Sequence, residues 1–307
     1  MMVPPLCGHA PKLPERTQPC SRLVLPGKSG SLAAPREKHA GGYPVPTQDM
    51  SSWRTSISQV ISTEDEEEIM VRGHPLSQLI GKISFAEMMF LMLRGSLPTP
   101  EQAHVLDALL VASVEHGITP PSMISRCFAS YGTTIQAAVG GGVLAFGDRM
   151  GGLGEQLGQT MAAHLAEHDP ANQTIADEVL GEVAAQIVEA AGRRGQRVPG
   201  YGIPLHGADP RAPGVLAVAR EKGTFGNYCR LGMAIEAALA AQRSGKTVPM
   251  NLDGVGAVVI LDLGFSWQST RLFLLTPRSV SMGAHYLEEQ EQDSTWRHIP
   301  ANQISYD

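Results

Sequence analysis

The stretch Thr174–Ala191, TIADEVLGEVAAQIVEAA, carries the clearest structural pattern in the chain. Its apolar residues return every four positions, at Ile175, Val179, Val183 and Ile187. That spacing places them on one face of an α-helix. Gly192 follows directly, and glycine is typical of the position just after a helix. We therefore predict an amphipathic helix that buries one face in a helical core.

The same kind of pattern extends outward over most of the chain. Ser84–Glu87 and Thr99–Gln102 are capping boxes, each placed ahead of an apolar stripe. Two short β-prone runs, Ile57–Ile61 and Ile69–Arg72, flank an acidic segment and predict a small hairpin. Further helices are predicted at the following positions: a start at Thr119, a start at Asp209, and stretches near 232–242, 255–263 and 271–289. The sequence therefore predicts an almost all-α fold.

Composition narrows the class of protein. The 307 residues include 24 Lys and Arg against 30 Asp and Glu, a net charge of −6, which argues against nucleic-acid binding. No apolar run reaches the roughly 18 residues of a membrane span. The four widely spaced cysteines form no CxxC pair, so we expect no metal site and a reducing, cytoplasmic location. Residues 1–50 are rich in Pro, Gly and Ser and predict a flexible extension.

Several motifs occur in a fixed order and resemble those of one enzyme family. They are Ile69–Leu76 (IMVRGHPL), Glu115–Gly117 (EHG), Gly142–Gly147 with Gly151-Gly152, Pro199–Gly202 with Asp209–Arg211, Asn251–Gly254 (NLDG), Thr276–Arg278 and Trp296-Arg297. Their order and spacing resemble the citrate synthase superfamily. The EHG and NLDG variants are closer to its citryl-CoA lyase branch than to the housekeeping synthases.

The resemblance implies a division of the chain and an assembly. Residues 51–155 and 250–307 would form a large helical domain, and 156–249 a smaller inserted helical domain. Family members are tight homodimers whose small domain closes on the large one around the ligand. The stretch Ile135–Gly142 offers a flat face of small residues for such a two-fold interface. The alternative is that its glycines merely kink or end a helix.

Family enzymes make or break the bond between an acyl-CoA methylene and a keto acid. The resemblance places Asp253 as the carboxylate that removes the proton next to the thioester. It also implies that Pro199, Gly200, Tyr201 and Gly202 form the loop that holds the adenine of coenzyme A. A coenzyme A thioester is therefore the expected co-substrate, with no metal.

A second group of residues matches the positions that grip the carboxylates of the keto acid or citrate. His116, Arg211 and Arg278 belong to this group, and Arg297 matches a residue supplied across the dimer. The planar fork of arginine suits a bidentate contact with a carboxylate. The expected ligand is therefore a small carboxylic acid or its acyl-CoA.

The chain departs from the family at both catalytic histidines. Met150 stands where the first is expected, before Gly151, and Ile203 stands where the second is expected, after Gly202. Neither side chain donates a proton, so each lines an expected substrate pocket without acid–base function. His206 is a candidate replacement, and Arg149 and Asp148, which flank Met150, are others.

Three functions stay open from the sequence. The first is family chemistry, formation or cleavage of a carbon–carbon bond with an acyl-CoA. The second is a diverged enzyme in which Asp253 serves proton abstraction, decarboxylation or dehydration of a specialised carboxylic acid; the more apolar pocket would suit a larger substituent. The third is a non-catalytic, ligand-binding homologue.

Overall fold

A computed structural model of the protein describes residues 53–65, 67–168, 170–171, 173–202 and 209–306. The predicted extension over residues 1–50 lies outside the described residues, and so do Ile203 and His206. The residues from Arg54 onward pack together as one unit. The division into a large and an inserted domain stays a prediction.

The described part of the chain is mainly helical, as predicted. Its α-helices are α1 (Leu76–Leu79), α2 (Phe85–Arg94), α3 (Pro100–Ser113), α4 (Pro120–Ser130), α5 (Ile135–Leu144), α6 (Leu153–Leu165), α7 (Asp177–Arg193), α8 (Arg211–Glu221), α9 (Asn227–Gln242), α10 (Leu252–Asp262) and α11 (Thr270–Glu291). Single 3-10 turns occupy Ala166–His168, Trp267–Ser269 and Ala301–Gln303. None of the described helices is long and apolar enough to cross a membrane.

A three-stranded antiparallel sheet precedes the helices. Its strands are β1 (Ser58–Ser62), β2 (Glu67–Val71) and β3 (His74–Pro75), in that order. Ser58 pairs with Val71 and Ser62 with Glu67. The hairpin predicted around the acidic segment is therefore confirmed.

Both predicted capping boxes are present. The backbone N–H of Glu87 donates to Ser84 Oγ at 3.2 Å, and the N–H of Ser84 donates to Glu87 Oε2 at 2.6 Å. Thr99 and Gln102 make the same reciprocal pair, at 3.3 Å and 2.9 Å. These bonds satisfy N–H groups that have no partner within the helix, and they fix where α2 and α3 begin.

Helix α10 lies at the centre of the core. It is apolar all round, and Val255, Ala257, Val258, Val259 and Ile260 are each at most 1% exposed. Helices α3, α6, α8, α9 and α11 pack against it. A helix enclosed in this way is held rigidly, so its N-terminus offers a fixed platform for a functional side chain.

Helices α4, α5 and α11 form a second packed group. A Cβ on Gly141 would lie 2.8 Å from the Phe128 ring of α4, and one on Gly142 would lie 2.6 Å from the Met282 sulfur of α11. Two of the three glycines in the predicted dimer face therefore pack closely within the chain, whereas a Cβ on Gly140 would meet no atom of the described part of the chain within 4 Å.

Candidate active site

Asp253 lies in the first turn of α10. Asn251 caps this helix, because its Oδ1 accepts the N–H of Gly254 at 3.1 Å. Burial raises the pKa of the Asp253 carboxyl above its usual value; Arg211 and Arg278 oppose the rise, and the like charge of Asp209 adds to it. A carboxyl with a raised pKa is a stronger base once ionised than an ordinary aspartate.

The loop that carries Gly200 and Gly202 is bound to the segment leading into α10. The N–H of Gly202 donates to the carbonyl of Pro249 at 2.8 Å, and the N–H of Asn251 donates to the carbonyl of Gly200 at 2.9 Å. Asn251 Nδ2 also donates to the carbonyl of Gly202 at 2.7 Å. The hydroxyl of Tyr201 is buried and donates to the carbonyl of Gly232 at 2.8 Å.

Glycine is needed where this loop touches α10. Gly200 has φ = +81°, and a Cβ there would lie 2.8 Å from Gly254 Cα. A Cβ on Gly254 would lie 2.4 Å from the carbonyl oxygen of Gly200. The two backbones therefore touch directly, and the loop from Pro199 to Gly202 is fixed beside Asp253.

Arg211 opens α8 and is held by Asp209. Its Nε donates to Asp209 Oδ1 at 2.9 Å and its Nη2 to Asp209 Oδ2 at 2.8 Å. The third guanidinium nitrogen, Nη1, donates to the backbone carbonyl of Glu115 at 3.3 Å. Burial raises the pKa of Asp209, but the hydrogen bonds and charge of Arg211 outweigh it, so that the pKa is lowered and the carboxylate stays ionised.

Arg278 projects from α11 and is 5% exposed. Burial lowers the pKa of its guanidinium, and the charge of Arg211 lowers it further, while Glu115 and Asp253 oppose the fall. Within the described residues, its Nε is buried and has no hydrogen-bond partner. A buried cationic donor of this kind is suited to bind an anionic group.

His116 lies in the loop between α3 and α4. The side chain of Glu115 stabilises the backbone of this loop. Glu115 Oε1 accepts the backbone N–H groups of His116 at 2.7 Å and Gly117 at 2.6 Å. Its Oε2 accepts the hydroxyl of Ser281 and lies 3.3 Å from His285 Nε2. Burial raises the pKa of Glu115, but the bonds from Ser281 and the backbone outweigh it, and the pKa is lowered.

Met150 closes a tight turn in front of α6. The N–H of Gly147 donates to the carbonyl of Met150 at 2.9 Å, and the reverse bond measures 3.0 Å. Asp148 and Arg149 stand exposed at its tip, and Asp148 Oδ1 lies 2.8 Å from Arg271 Nη2. Asp148 is thus engaged in an ion pair, which weakens its case as a replacement acid or base.

Arg297 contacts residues of its own chain. Its Nε and Nη2 donate to the two oxygens of Glu289, the latter at 2.9 Å. Glu289 is 1% exposed and also accepts Arg126 Nη1 at 2.7 Å. The tail of the chain is therefore fastened to α11 and α4, and the shared site predicted for Arg297 stays a prediction.

The structure thus brings Asp253, Arg211 and Arg278 into one electrostatic group, with the loop of His116 joined to it through the Glu115 carbonyl. Two residues were missed from the sequence as site components, Asp209 and Glu115. Each stands in a motif, immediately before a proline–arginine pair or a histidine. An acid two residues before a site arginine was the available signal for Asp209.

Residues 98–299 match the family model described as citrate synthase, C-terminal domain. The match covers more than half of the chain, which therefore belongs to the citrate synthase family. The family and all-α fold predicted from the motifs are confirmed.

The fold is shared with solved structures of the family. Citryl-CoA lyase from Hydrogenobacter thermophilus superposes with a TM-score of 0.72 at 27% identity, over 83% of this chain and 94% of that one. ATP citrate lyase from Methanothrix soehngenii, solved with citrate and coenzyme A, superposes with a TM-score of 0.67 at 18% identity, over 90% of this chain and 46% of that one. The second likeness concerns the fold alone.

A Mycobacterium tuberculosis protein, provisionally named citrate synthase 2, is 27% identical over 201 residues, which make up 63% of this chain. The matched region is 49% of that protein. The chain thus spans about half the length of the curated relatives it matches.

Proposed function

We propose that the protein is an enzyme that forms or cleaves a carbon–carbon bond between an acyl-CoA and a carboxylate-bearing partner. The observation that carries this proposal is the Asp253 carboxyl, whose pKa is raised by burial beside Arg211 and Arg278. The likeness to citryl-CoA lyase at 27% identity supports it. Citrate or citryl-CoA is the model substrate for its test.

In the forming direction, Asp253 would take a proton from the carbon next to the thioester. The resulting enolate carbon would attack the keto carbon of the partner, whose oxygen then needs a proton. Arg211, Arg278 and His116 would hold the partner's carboxylates. In the cleaving direction, the hydroxyl loses its proton, the carbon–carbon bond breaks, and protonated Asp253 returns its proton to the enolate.

Coenzyme A would lie along the loop from Pro199 to Gly202. Its backbone is pinned beside Asp253 by bonds to Pro249 and Asn251, so an adenine bound there would set the thioester at a fixed distance from the base. We propose His206 as the proton donor to the keto oxygen, because Ile203, which stands where the family's second histidine is expected, cannot donate a proton there. We further propose a homodimer in which Arg297 completes the neighbouring site.

A diverged reaction is the second candidate, and Met150 favours it. A thioether in place of an imidazole makes the pocket less polar and removes one acid–base group. Asp253 would then act alone on a carboxylic acid with an apolar substituent. A non-catalytic homologue predicts binding of citrate or coenzyme A without turnover of any of these compounds.

The test is turnover by the purified protein of two substrate sets. Cleavage of citryl-CoA is followed as the acetyl-CoA and oxaloacetate formed, and the reaction of acetyl-CoA with oxaloacetate is followed as the citryl-CoA formed and as any free thiol released by its hydrolysis. We expect turnover that D253N abolishes. The control is D107N, which removes the same charge from an exposed position on α3. No turnover above background with either substrate pair would refute family chemistry, and full activity in D253N would exclude the aspartate base.

A further inference from the structure

Asp209 is a buried carboxylate with four hydrogen bonds and no assigned role. Its side chain is 1% exposed. Oδ1 accepts the backbone N–H of Arg211 at 3.1 Å and its Nε at 2.9 Å. Oδ2 accepts Arg211 Nη2 at 2.8 Å and the backbone N–H of Leu252 at 3.1 Å. One carboxylate therefore joins an arginine on α8 to the first residue of α10.

The bonds of Arg211 leave a defined part of its guanidinium open. Arginine has five N–H donors. Asp209 takes Nε–H and one hydrogen of Nη2, and the Glu115 carbonyl takes one hydrogen of Nη1. The described contacts thus leave one hydrogen on each terminal nitrogen, and a carboxylate can accept charge-assisted hydrogen bonds from these donors.

The bond to Leu252 sets the position of the base relative to this fork. Leu252 immediately precedes Asp253, and α10 is enclosed by the core. Arg211 Nη2 and the N–H of Leu252 both donate to Oδ2 of one buried side chain, so a shift of the guanidinium costs at least one of the bonds that join it to the start of α10. Asp209 therefore links the position of the Arg211 guanidinium to that of Asp253.

We propose that Asp209 is a positioning residue, which presents the open end of Arg211 to a substrate carboxylate at a fixed place relative to Asp253. This rests on the proposed function, since it takes that carboxylate ligand as given. Asp209 does not touch the substrate. It acts through Arg211, by restricting a flexible side chain before the ligand arrives.

The test compares D209N with D262N in the full-length protein. Asp262 is a matched control, because it is a half-buried carboxylate at the last residue of α10 and accepts three backbone N–H groups, from Gly226, Tyr228 and Cys229, each at 2.9 Å. Both variants lose a carboxylate charge that accepts backbone N–H groups, and some stability with it, but only D209N weakens the hold on Arg211.

Two readouts separate positioning from stability. The first is the Kd for citrate by calorimetry, corrected for the folded fraction; D209N is expected to weaken it about 10- to 100-fold, the effect of losing charge-assisted hydrogen bonds, and D262N less than about twofold. The second is the ¹⁵Nε–H NMR signal of Arg211, assigned by its absence in R211K. D209N should shift or remove this signal, because the charge and one of the two oxygen acceptors are gone, and D262N should leave it in place.

Citrate affinity within twofold of wild type in D209N, or an unchanged Arg211 Nε–H signal, would overturn the proposal. If wild-type protein binds no citrate, the carboxylate ligand of the proposed function is refuted. The Nε–H signal alone then decides whether Asp209 holds Arg211. If D209N does not fold, D209E takes its place, because the longer side chain keeps the charge but displaces the oxygens; unchanged affinity and signal there would be equally decisive.

Discussion

At the residue scale, the Asp253 carboxyl combines a raised pKa with two neighbouring cations. D253N keeps the shape and removes the base. We expect kcat to fall about 10²- to 10⁴-fold, the usual contribution of one general base, while the Kd for citrate changes little. Steady-state kinetics and calorimetry on the same preparation check this. A loss of binding as large as the loss of rate would contradict the role of Asp253 as a base.

The pH profile gives a second prediction at this scale. Forward chemistry needs Asp253 ionised, and because burial raises its pKa, activity should fall on acidification at a pH above the usual aspartate value of ~3.9. Arg278 opposes that rise, so R278Q should move the acid limb of kcat/KM to still higher pH.

The other groups facing Asp253 are Arg211 and Asp209, with Arg271 in the same small cavity. All three are unchanged in R278Q. The control is R193Q, which removes an exposed arginine that forms an ion pair with Glu189. An acid limb of R278Q that stays in place or moves to lower pH would contradict the electrostatic account of the site.

Sequence reasoning named candidate site residues, but not the carboxylates Asp209 and Glu115 that form hydrogen bonds beside them. Asp253, Arg211 and Arg278 stand in motifs whose residue types suit the chemistry. The bonds of Asp209 to Leu252 and of Glu115 to Ser281 join positions far apart in the chain. No local pattern reports such contacts, because they depend on how α8, α10 and α11 come together.

At the element scale, the contact between the Gly200 loop and α10 is the tightest feature of the site. G254A would place a methyl group 2.4 Å from the Gly200 carbonyl oxygen. We expect a loss of about 1–3 kcal/mol in the free energy of unfolding, because the backbones must separate. Denaturant unfolding followed by circular dichroism measures it.

The control substitution lies two residues further along the same helix. A Cβ on Gly256 would meet no atom of the described residues within 4 Å. G256A should therefore be neutral or stabilising by up to about 1 kcal/mol, from the better helix propensity of alanine. Equal stability of G254A and G256A would show that the loop does not press on α10.

The sequence largely predicted where the helices lie, but it did not predict which helices pack against each other. Capping at Ser84 and Thr99 depends on residues three apart, so local sequence predicts it correctly. The glycine run at Gly140–Gly142 predicts close packing, but it does not identify the helices that pack against it. Gly141 and Gly142 pack on α4 and α11 of the same chain, a pairing decided by the tertiary arrangement.

At the scale of the whole molecule, α5 and α11 still expose apolar side chains after this packing. Leu144 is 85% exposed, Val280 67% and Leu287 54%. Such surface suits an isologous dimer interface. We expect a dimer by light scattering at micromolar concentration, and V280D should raise the monomer fraction. V111D is the control, since Val111 on α3 is equally exposed at 67%. A wild-type monomer would refute the dimer.

Arg297 gives a separate prediction for the assembly. Its bonds to Glu289 anchor the tail, and the two-fold partner would bring its guanidinium to the neighbouring site. R297A should therefore weaken citrate binding about 10-fold or more, whereas R193A should not. Unchanged citrate affinity in R297A would refute the shared site and leave the dimer standing.

The central claim is that Asp253 removes a proton next to a thioester while the arginines hold a carboxylate. Exchange of the acetyl-CoA methyl protons with deuterium, followed by NMR in D₂O with and without oxaloacetate, tests it most directly, since exchange does not require bond formation to finish. We predict exchange by wild-type protein that oxaloacetate alters and that D253N lacks. Exchange at the same rate in D253N as in wild-type protein would contradict the claim. So would a wild-type protein that shows no exchange and neither forms nor cleaves citryl-CoA.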